Sequence, residues 1–474
     1  MASPGWVKAG AMITPAVGWA CGKGYAGWDR DREKVPVVAI DFTLSDSQQE
    51  LQKNAKAFAE GVLRPVAGPI DRAAGGWESF LAGREAYREM AHAGFTKSFI
   101  PAEYGGAGFS VIDLAIAAEE LTCVDVNVPT TLLATGLGLQ PVIQYGSPEQ
   151  KERFLRPFAD DPEGDLLASY AFTDAAGGAN FDSPDPAGGM QTIARRDGGE
   201  WVITGEKHYT TNGTGWGRKG CELYTVVCRT DPAAGADDVL AVIAVPGSAP
   251  GITVVDVYDK IGHRGVVTPR VHFDQVRVPA ANLIGQPGRA GKRVVTGAFS
   301  WTAALIGAAC VGTMRAAFEY ALDFARSEKR LGTVPVIEHQ NVGFMLADIK
   351  MRIEACRYLT WKACHDFERT GGRAEELAIM TKVYCSEAAV ATVYDCMRVV
   401  GIASYTKDLA PAGKDHARRH GVPPLRRGEP GRASPPVARH HPPSRLRLDA
   451  GRARRGPARG LVTPAGAPGP TTTM

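Results

Sequence analysis

Apolar residues recur at helical spacing from Ser45 to about residue 160, alternate with polar ones from Leu166 to about Gly285, and return to helical spacing from Phe299 to about Val400. A change of period from 3.6 to 2 and back predicts helices, then strands, then helices. Ser45-Asp46-Ser47-Gln48 has the form of a capping box, followed by Leu51, Ala55, Phe58 and Val62, so a first helix is expected until Pro65 stops it. Further helical patterns cover residues 81–93, 110–124, 129–144 and 148–158. Strands are expected at 201–207, 224–228, 240–245, 252–257 and 271–273, separated by Gly and Pro. Three long helices are expected at 299–327, 338–367 and 373–400, the second marked by Val342, Met345, Ile349, Ile353 and Cys356. The class is α+β: an N-terminal α-helical domain at 41–163, a central β-domain at 164–287 and a C-terminal four-helix-type bundle at 288–409. The last helices are apolar on more than one face, which implies packing against another subunit as well as within the chain.

Composition adds the two ends. At 474 residues the chain exceeds one ordinary core, and 44% hydrophobic content supplies a large interior. Residues 1–40 lack a clean apolar signal core and are expected to be an unstructured extension. Residues 411–474 hold 13 Lys and Arg against 3 Asp and Glu, so the tail's +10 leaves −7 for the body within a net charge of +3. An acidic body argues against a nucleic-acid surface, and a disordered Arg/Pro-rich tail is expected from residue 410. The nine cysteines show neither Cys-x-x-Cys nor a Cys/His cluster at metal-ligand spacing, which points to reduced thiols, no metal and a cytoplasmic protein. Cys364 beside His365 is not a catalytic pair, because adjacent helical residues point apart. No apolar run reaches membrane-spanning length, so no membrane is expected.

The stretch most suggestive of chemistry runs from Tyr170 to Trp216. Tyr170-Ala171-Phe172-Thr173-Asp174 leads into the turn Gly177-Gly178-Ala179-Asn180, where glycine permits close backbone approach. Trp201-Val202-Ile203-Thr204-Gly205-Glu206-Lys207 then alternates and closes as Tyr209-Thr210-Thr211-Asn212-Gly213. Two strands carrying aromatic and hydroxyl residues at their ends suit a flat, polar-edged ligand, although a plain β-sandwich edge has the same pattern.

Residues 170–180 resemble the pattern Tyr-x-x-Thr-Glu-Pro-x-Ala-Gly-Ser-Asp of the acyl-CoA dehydrogenase superfamily, with Asp174 for Glu and Ala175 for Pro. Gly177-x-Ala179-Asn180 and Gly215-Trp216-x-x-Lys219-Gly220 are most similar to its nitroalkane oxidase branch. The likeness spans roughly residues 41–409 and includes Gly262-His263-Arg264-Gly265 and Val276-Arg277-Val278-Pro279. It implies an FAD-dependent oxidoreductase, a homotetramer, whose carboxylate base removes an acidic C–H proton while electrons pass to the flavin. Three readings follow: oxidation of a nitroalkane, α,β-desaturation of an acyl-CoA, or a flavin-binding protein without catalysis.

The resemblance also implies site residues. Tyr170, Ala171, Phe172, Thr173, Gly178, Ala179 and Asn180 would line the flavin ring, Tyr209 would stand where the family has Trp, and Thr210 and Thr211 would add hydroxyls. Arg330, His339 and Gln340 resemble pyrophosphate and adenine contacts supplied across a subunit interface, and Tyr394, Asp395, Cys396, Met397 and Arg398 a further dinucleotide-contacting segment. Thr302 matches a serine that supports the catalytic carboxylate, though a helical threonine commonly satisfies itself on the preceding turn. The carboxylate base matches no residue. Within codon degeneracy, residues 422–430 read one nucleotide later can give Phe-Pro-Leu-Tyr-Asp-Gly-Gly-Asn-Pro, which resembles the family's catalytic segment, so a frameshift after Leu409 is expected. Asp395 would be the first substitute base to test.

Overall fold

The computed structural model describes residues 42–405, apart from 373–374. The expected extension at 1–40, the tail from 410 and the segment 422–430 lie outside them.

The first part is helical: α1 Asp46–Phe58, α2 Arg64–Arg72, α3 Gly76–Ala82, α4 Arg84–His92, α5 Val111–Thr122, α6 Asn127–Tyr145 and α7 Pro148–Ala159. The capping box forms, with Ser45 Oγ accepting from the Gln48 amide at 3.3 Å and Gln48 Oε1 from the Ser45 amide at 3.1 Å. Pro65 does not end the helical path. A π-helical segment, Ala59–Leu63, follows α1, and Pro65 sits in the first turn of α2, where a missing amide costs no intrahelical bond. The single pattern expected at 81–93 is two helices, α3 and α4, with Gly83 flanking both.

Eight strands follow: β1 Ala168–Ala171, β2 Ile193–Asp197, β3 Glu200–Lys207, β4 Leu223–Arg229, β5 Leu240–Pro246, β6 Ile252–Val257, β7 Pro269–Pro279 and β8 Leu283–Ile284. They form one sheet in the order β6-β7-β3-β2-β4-β5-β8, with β1 added parallel to β4. Every residue of β4 is buried, Thr225 and Arg229 included, so the strand shows no alternation of buried and exposed positions. A four-residue helix, α8 Ala236–Val239, leads into β5.

Three long helices complete the fold: α9 Arg289–Ser327, α10 Gln340–Thr370 and α11 Glu375–Val400. Helix α9 begins at Arg289 rather than Phe299, and is long and apolar enough to cross a membrane by length and composition, contrary to the expectation from sequence. Its most apolar window is 61% buried inside the protein, where the helix packs against α5, α6, α10 and α11 as a core helix. An ionic clamp joins the helical parts: Arg315 of α9 donates to Glu119 at 2.9 Å and Glu120 at 2.8 Å on α5, and Arg357 of α10 donates to Glu119 at 2.8 Å.

Candidate functional site

A cleft of ≈ 430 Å³ opens where the sheet meets α6 and α9. Its first wall is the end of β1 and the turn beyond it: Tyr170, Phe172, Thr173, Gly178 and Ala179. Its second is the turn after β3, with Tyr209 and Thr211, and its third is Ala134 and Leu137 of α6 with Phe299 of α9.

Local chemistry sets each wall. Tyr170 and Phe172 lie nearly parallel, 6.0 Å apart, and Phe299 meets both edge-on at 5.3 and 4.8 Å. Gly178 fits against that stack only because it lacks a side chain: a Cβ there would stand 2.5 Å from the Phe172 ring. Gly138 does the same for α6, whose backbone closes on β1 where a Cβ would meet the Ser169 amide at 2.6 Å. That approach brings Ala134 and Leu137 to the cleft.

The second wall is held by its backbone. The amides of Thr210 and Asn212 donate to Pro269 O and Val267 O, both at 3.1 Å, and Ser169 Oγ donates to Thr211 O at 2.6 Å. Asn212, fully buried in a left-handed conformation (φ 67), sends its amide nitrogen to Thr131 O at 2.8 Å and Thr135 Oγ1 at 3.1 Å on α6. Tyr209 also has positive φ (55) and is 60% exposed, with its ring 5.0 Å from that of Tyr258. His208 braces Tyr258, its Nδ1 2.7 Å from the Tyr258 hydroxyl and its Nε2 2.9 Å from Glu206.

Below both walls lies an ion pair with Lys207 at 0% and Asp174 at 3% exposure. Lys207 Nζ donates to Asp174 Oδ1 at 2.6 Å and to Phe172 O at 2.9 Å, and the His208 amide donates to Thr173 O at 2.7 Å. Burial pushes the Lys207 ammonium below its usual range, and the Asp174 carboxylate opposes that shift.

The remaining expected residues do not line the cleft. Ala171 is buried in β1, Asn180 is exposed beyond the turn, and Thr210 is buried, its hydroxyl without a partner among the described residues. Thr302 is half-buried on α9 and donates to Ala298 O at 3.0 Å, the self-satisfied state common for helical threonines. Arg330 is exposed, holding Val400 O at 3.2 Å with its guanidinium over Phe324, and His339 and Gln340 are exposed at the start of α10. On α11, Tyr394 and Arg398 are exposed, Met397 is half-buried and Cys396 is buried. Asp395 accepts from Arg352 and Arg398, each at 3.2 Å, so it is a structural ion-pair partner rather than a substitute base at the cleft. Cys364 is buried, its thiol pushed up by desolvation, while His365 is exposed. Sequence reasoning missed Ala134, Leu137 and Phe299, ordinary apolar residues in apolar helices that carry no local signal.

A cleft with stacked aromatics on one side, a tyrosine at its rim and threonine hydroxyls at its edge has the shape and chemistry to take a flat heteroaromatic ring. The buried Tyr170 hydroxyl has no partner among the described residues, and burial holds it protonated, a donor suited to a polar ligand. A flavin ring fits such a donor set.

The sequence carries the matching family. It matches the acyl-CoA dehydrogenase N-terminal domain over residues 45–161, the middle domain over 169–276 and the C-terminal domain over 289–419. It is 38% identical over 388 residues to a nitroalkane oxidase of Fusarium oxysporum, covering 78% of this chain and 88% of that protein. A probable acyl-CoA dehydrogenase of Mycobacterium tuberculosis is 31% identical over 370 residues, covering 78% and 89%. Among solved structures, a nitroalkane oxidase active-site mutant crystallized with 1-nitrohexane superposes with a TM-score of 0.75 at 36% identity, covering 81% of this chain and 92% of that one. Butyryl-CoA dehydrogenase from Megasphaera elsdenii gives 0.68 at 28%, covering 81% and 95%. The chain belongs to the acyl-CoA dehydrogenase family of FAD-dependent oxidoreductases.

Proposed function

We propose that this chain acts on a small substrate whose C–H bond is acidified by a neighbouring nitro group, in the manner of a nitroalkane oxidase. The observation that carries the reading is the cleft itself: Ala134, Leu137, Phe172 and Phe299 form a compact apolar pocket beside the hydroxyls of Thr173 and Thr211. The apolar residues take an alkyl chain and exclude water, which strengthens every polar contact inside. Thr173, Thr211 and Tyr170 would hold the polar edge of the flavin, and Tyr209 would lie against its face. FAD, when bound, supplies the acceptor for the substrate's electron pair. The second reading, desaturation of an acyl-CoA, rests on the relatives of that kind.

Proton abstraction needs a carboxylate, and none of the ten described residues lining the cleft is Asp, Glu or His. Asp174 cannot serve: one oxygen accepts from Lys207 and Thr192, and the other from the amides of Gln191 and Thr192. In this reading the base would come from the shifted frame of residues 422–430. Thr302 would support it only with its hydroxyl turned away from Ala298.

The outer faces of α10 and α11 expose Phe344, Met351, Val390 and Tyr394. Apolar area of this kind supports a homo-oligomer, a tetramer in this reading, in which Arg330, His339, Gln340 and residues 394–398 serve a flavin across the contact. The scattered cysteines support a cytoplasmic setting.

The test is anaerobic flavin bleaching by nitroethane or by short acyl-CoAs, in the 474-residue chain and in one with the frame restored after Leu409. Nitroethane should bleach the restored chain about a hundred- to ten-thousand-fold faster, the usual worth of a general base. Bleaching by acyl-CoA alone would move the assignment to the second reading. A nucleotide sequence giving no Asp-Gly-Gly in any single-base shift across codons 409–430 would end the frameshift proposal.

A further inference from the structure

We propose that the buried Asp174–Lys207 pair is a positioning device for the flavin cleft, fixing the separation between the wall of Phe172 and Thr173 and the wall of Tyr209 and Thr211. This rests on the flavin reading above.

The geometry is of a clamp rather than an isolated ion pair. Lys207 Nζ reaches Asp174 Oδ1 at 2.6 Å and Phe172 O at 2.9 Å on one segment and Met190 Sδ at 3.0 Å on another, using its three hydrogens on three partners. Asp174 is held in turn by Thr192 Oγ1 at 2.7 Å, the Thr192 amide at 3.2 Å and the Gln191 amide. Residue 207 ends β3 directly before the turn that carries Tyr209 and Thr211, and residue 174 directly follows Thr173. The His208 amide to Thr173 O bond, 2.7 Å, continues the same link. Both cleft walls thus depart from one fixed point. Neither charged side chain lines the cleft, so the pair acts through the backbone it holds.

Burial explains why a charged pair is informative here. Two charges withdrawn from water recover little net stability, and a well-packed apolar pair of similar volume often does as well. A core position that retains Lys and Asp, with every hydrogen and both oxygens directed, is better suited to fixing geometry than to adding stability. A neutral methylene pair would fill the space without holding Phe172 O.

The experiment titrates the apo 474-residue chain with FAD, reading Kd by flavin fluorescence and the visible bands of the bound flavin, with near-UV circular dichroism to report folding. The variant is Asp174→Asn combined with Lys207→Met, which removes the pair without leaving a lone buried charge. The folded double variant should bind FAD at least about tenfold more weakly, with bands shifted toward those of free flavin. A purely structural pair would lower Tm and leave the bound spectrum alone. A folded double variant that keeps either its Kd within twofold or the wild-type spectrum overturns the proposal. Should the double variant not fold, Thr192→Val decides: it removes one donor to Asp174, and an unchanged Kd and spectrum overturn the proposal, whereas an approximately threefold weaker Kd with shifted bands supports it. A wild-type chain that takes up no FAD brings down the flavin reading and this inference together. Equal binding by wild type and variant brings down this inference alone.

Discussion

Residues 170–211 and residues 330–398 resemble the same family's cofactor contacts, yet the fold treats them differently. The first group converges: three walls from β1, the β3 turn and two helices are tied by hydrogen bonds to buried backbone. The second group does not meet the cleft, and Arg330, His339, Gln340, Tyr394 and Arg398 all lie on exposed surface. Close packing decides the inner geometry within one chain. Exposed side chains such as His339 and Gln340 are not enclosed by the packing of this chain, so under the proposed oligomer the outer group would act only on assembly.

The sharpest way to break this contrast is Val390→Glu, at a position 70% exposed on α11. If the outer face meets a second copy, a carboxylate buried there costs about 3 kcal/mol, roughly a hundredfold in association. Light scattering should then show a smaller species with unchanged circular dichroism. An unchanged mass would remove the oligomer from the proposal.

Next in size is Gly178→Val, which drives a branched side chain into the Phe172 ring. Overpacking of this kind costs about 1–3 kcal/mol, so FAD affinity should fall about tenfold to a hundredfold in titration. Wild-type affinity would mean that the cleft does not hold the ring.

The inner region also carries a pH signature. Lys260 donates to Val266 O and, at 2.8 Å, to Thr268 Oγ1, bracing the segment whose Val267 and Pro269 carbonyls hold the Tyr209 turn. Burial pushes its ammonium down to about 8 from the usual 10.5. Between those values the unfolded chain binds a proton that the folded chain has lost, so stability rises with pH across the window and falls again as pH drops toward 8. Denaturant unfolding should show a gain of up to about 3 kcal/mol, and Lys260→Met should flatten the slope.

The smallest effect separates ring from backbone. Tyr209→Gly keeps the left-handed turn at no steric cost while deleting the aromatic contact. Flavin affinity should fall by about 1 kcal/mol, roughly fivefold, with Tm equal or higher. A drop in Tm instead would show that the ring's contact with Tyr258 holds the turn.

The order of helices, strands and helices is legible along the chain, because the two periodicities are local and each element's buried face is written into its own residues. The sequence also marked the cleft's first two walls, since turns at the ends of strands demand glycine, hydroxyl and aromatic residues at fixed places. Which of the marked residues meet depends on packing between distant segments. Thr210 turns inward while Thr211 faces the cleft, and Thr302 donates to Ala298. Leu137 and Ala134 join the site because Gly138 lets α6 close on β1, a contact between segments about thirty residues apart, and Phe299 joins it from α9, edge-on to Tyr170 and Phe172. The pairing of Asp174 with Lys207 was equally silent in the sequence. A buried charge chooses its partner through the packing around it, and no local period records that choice.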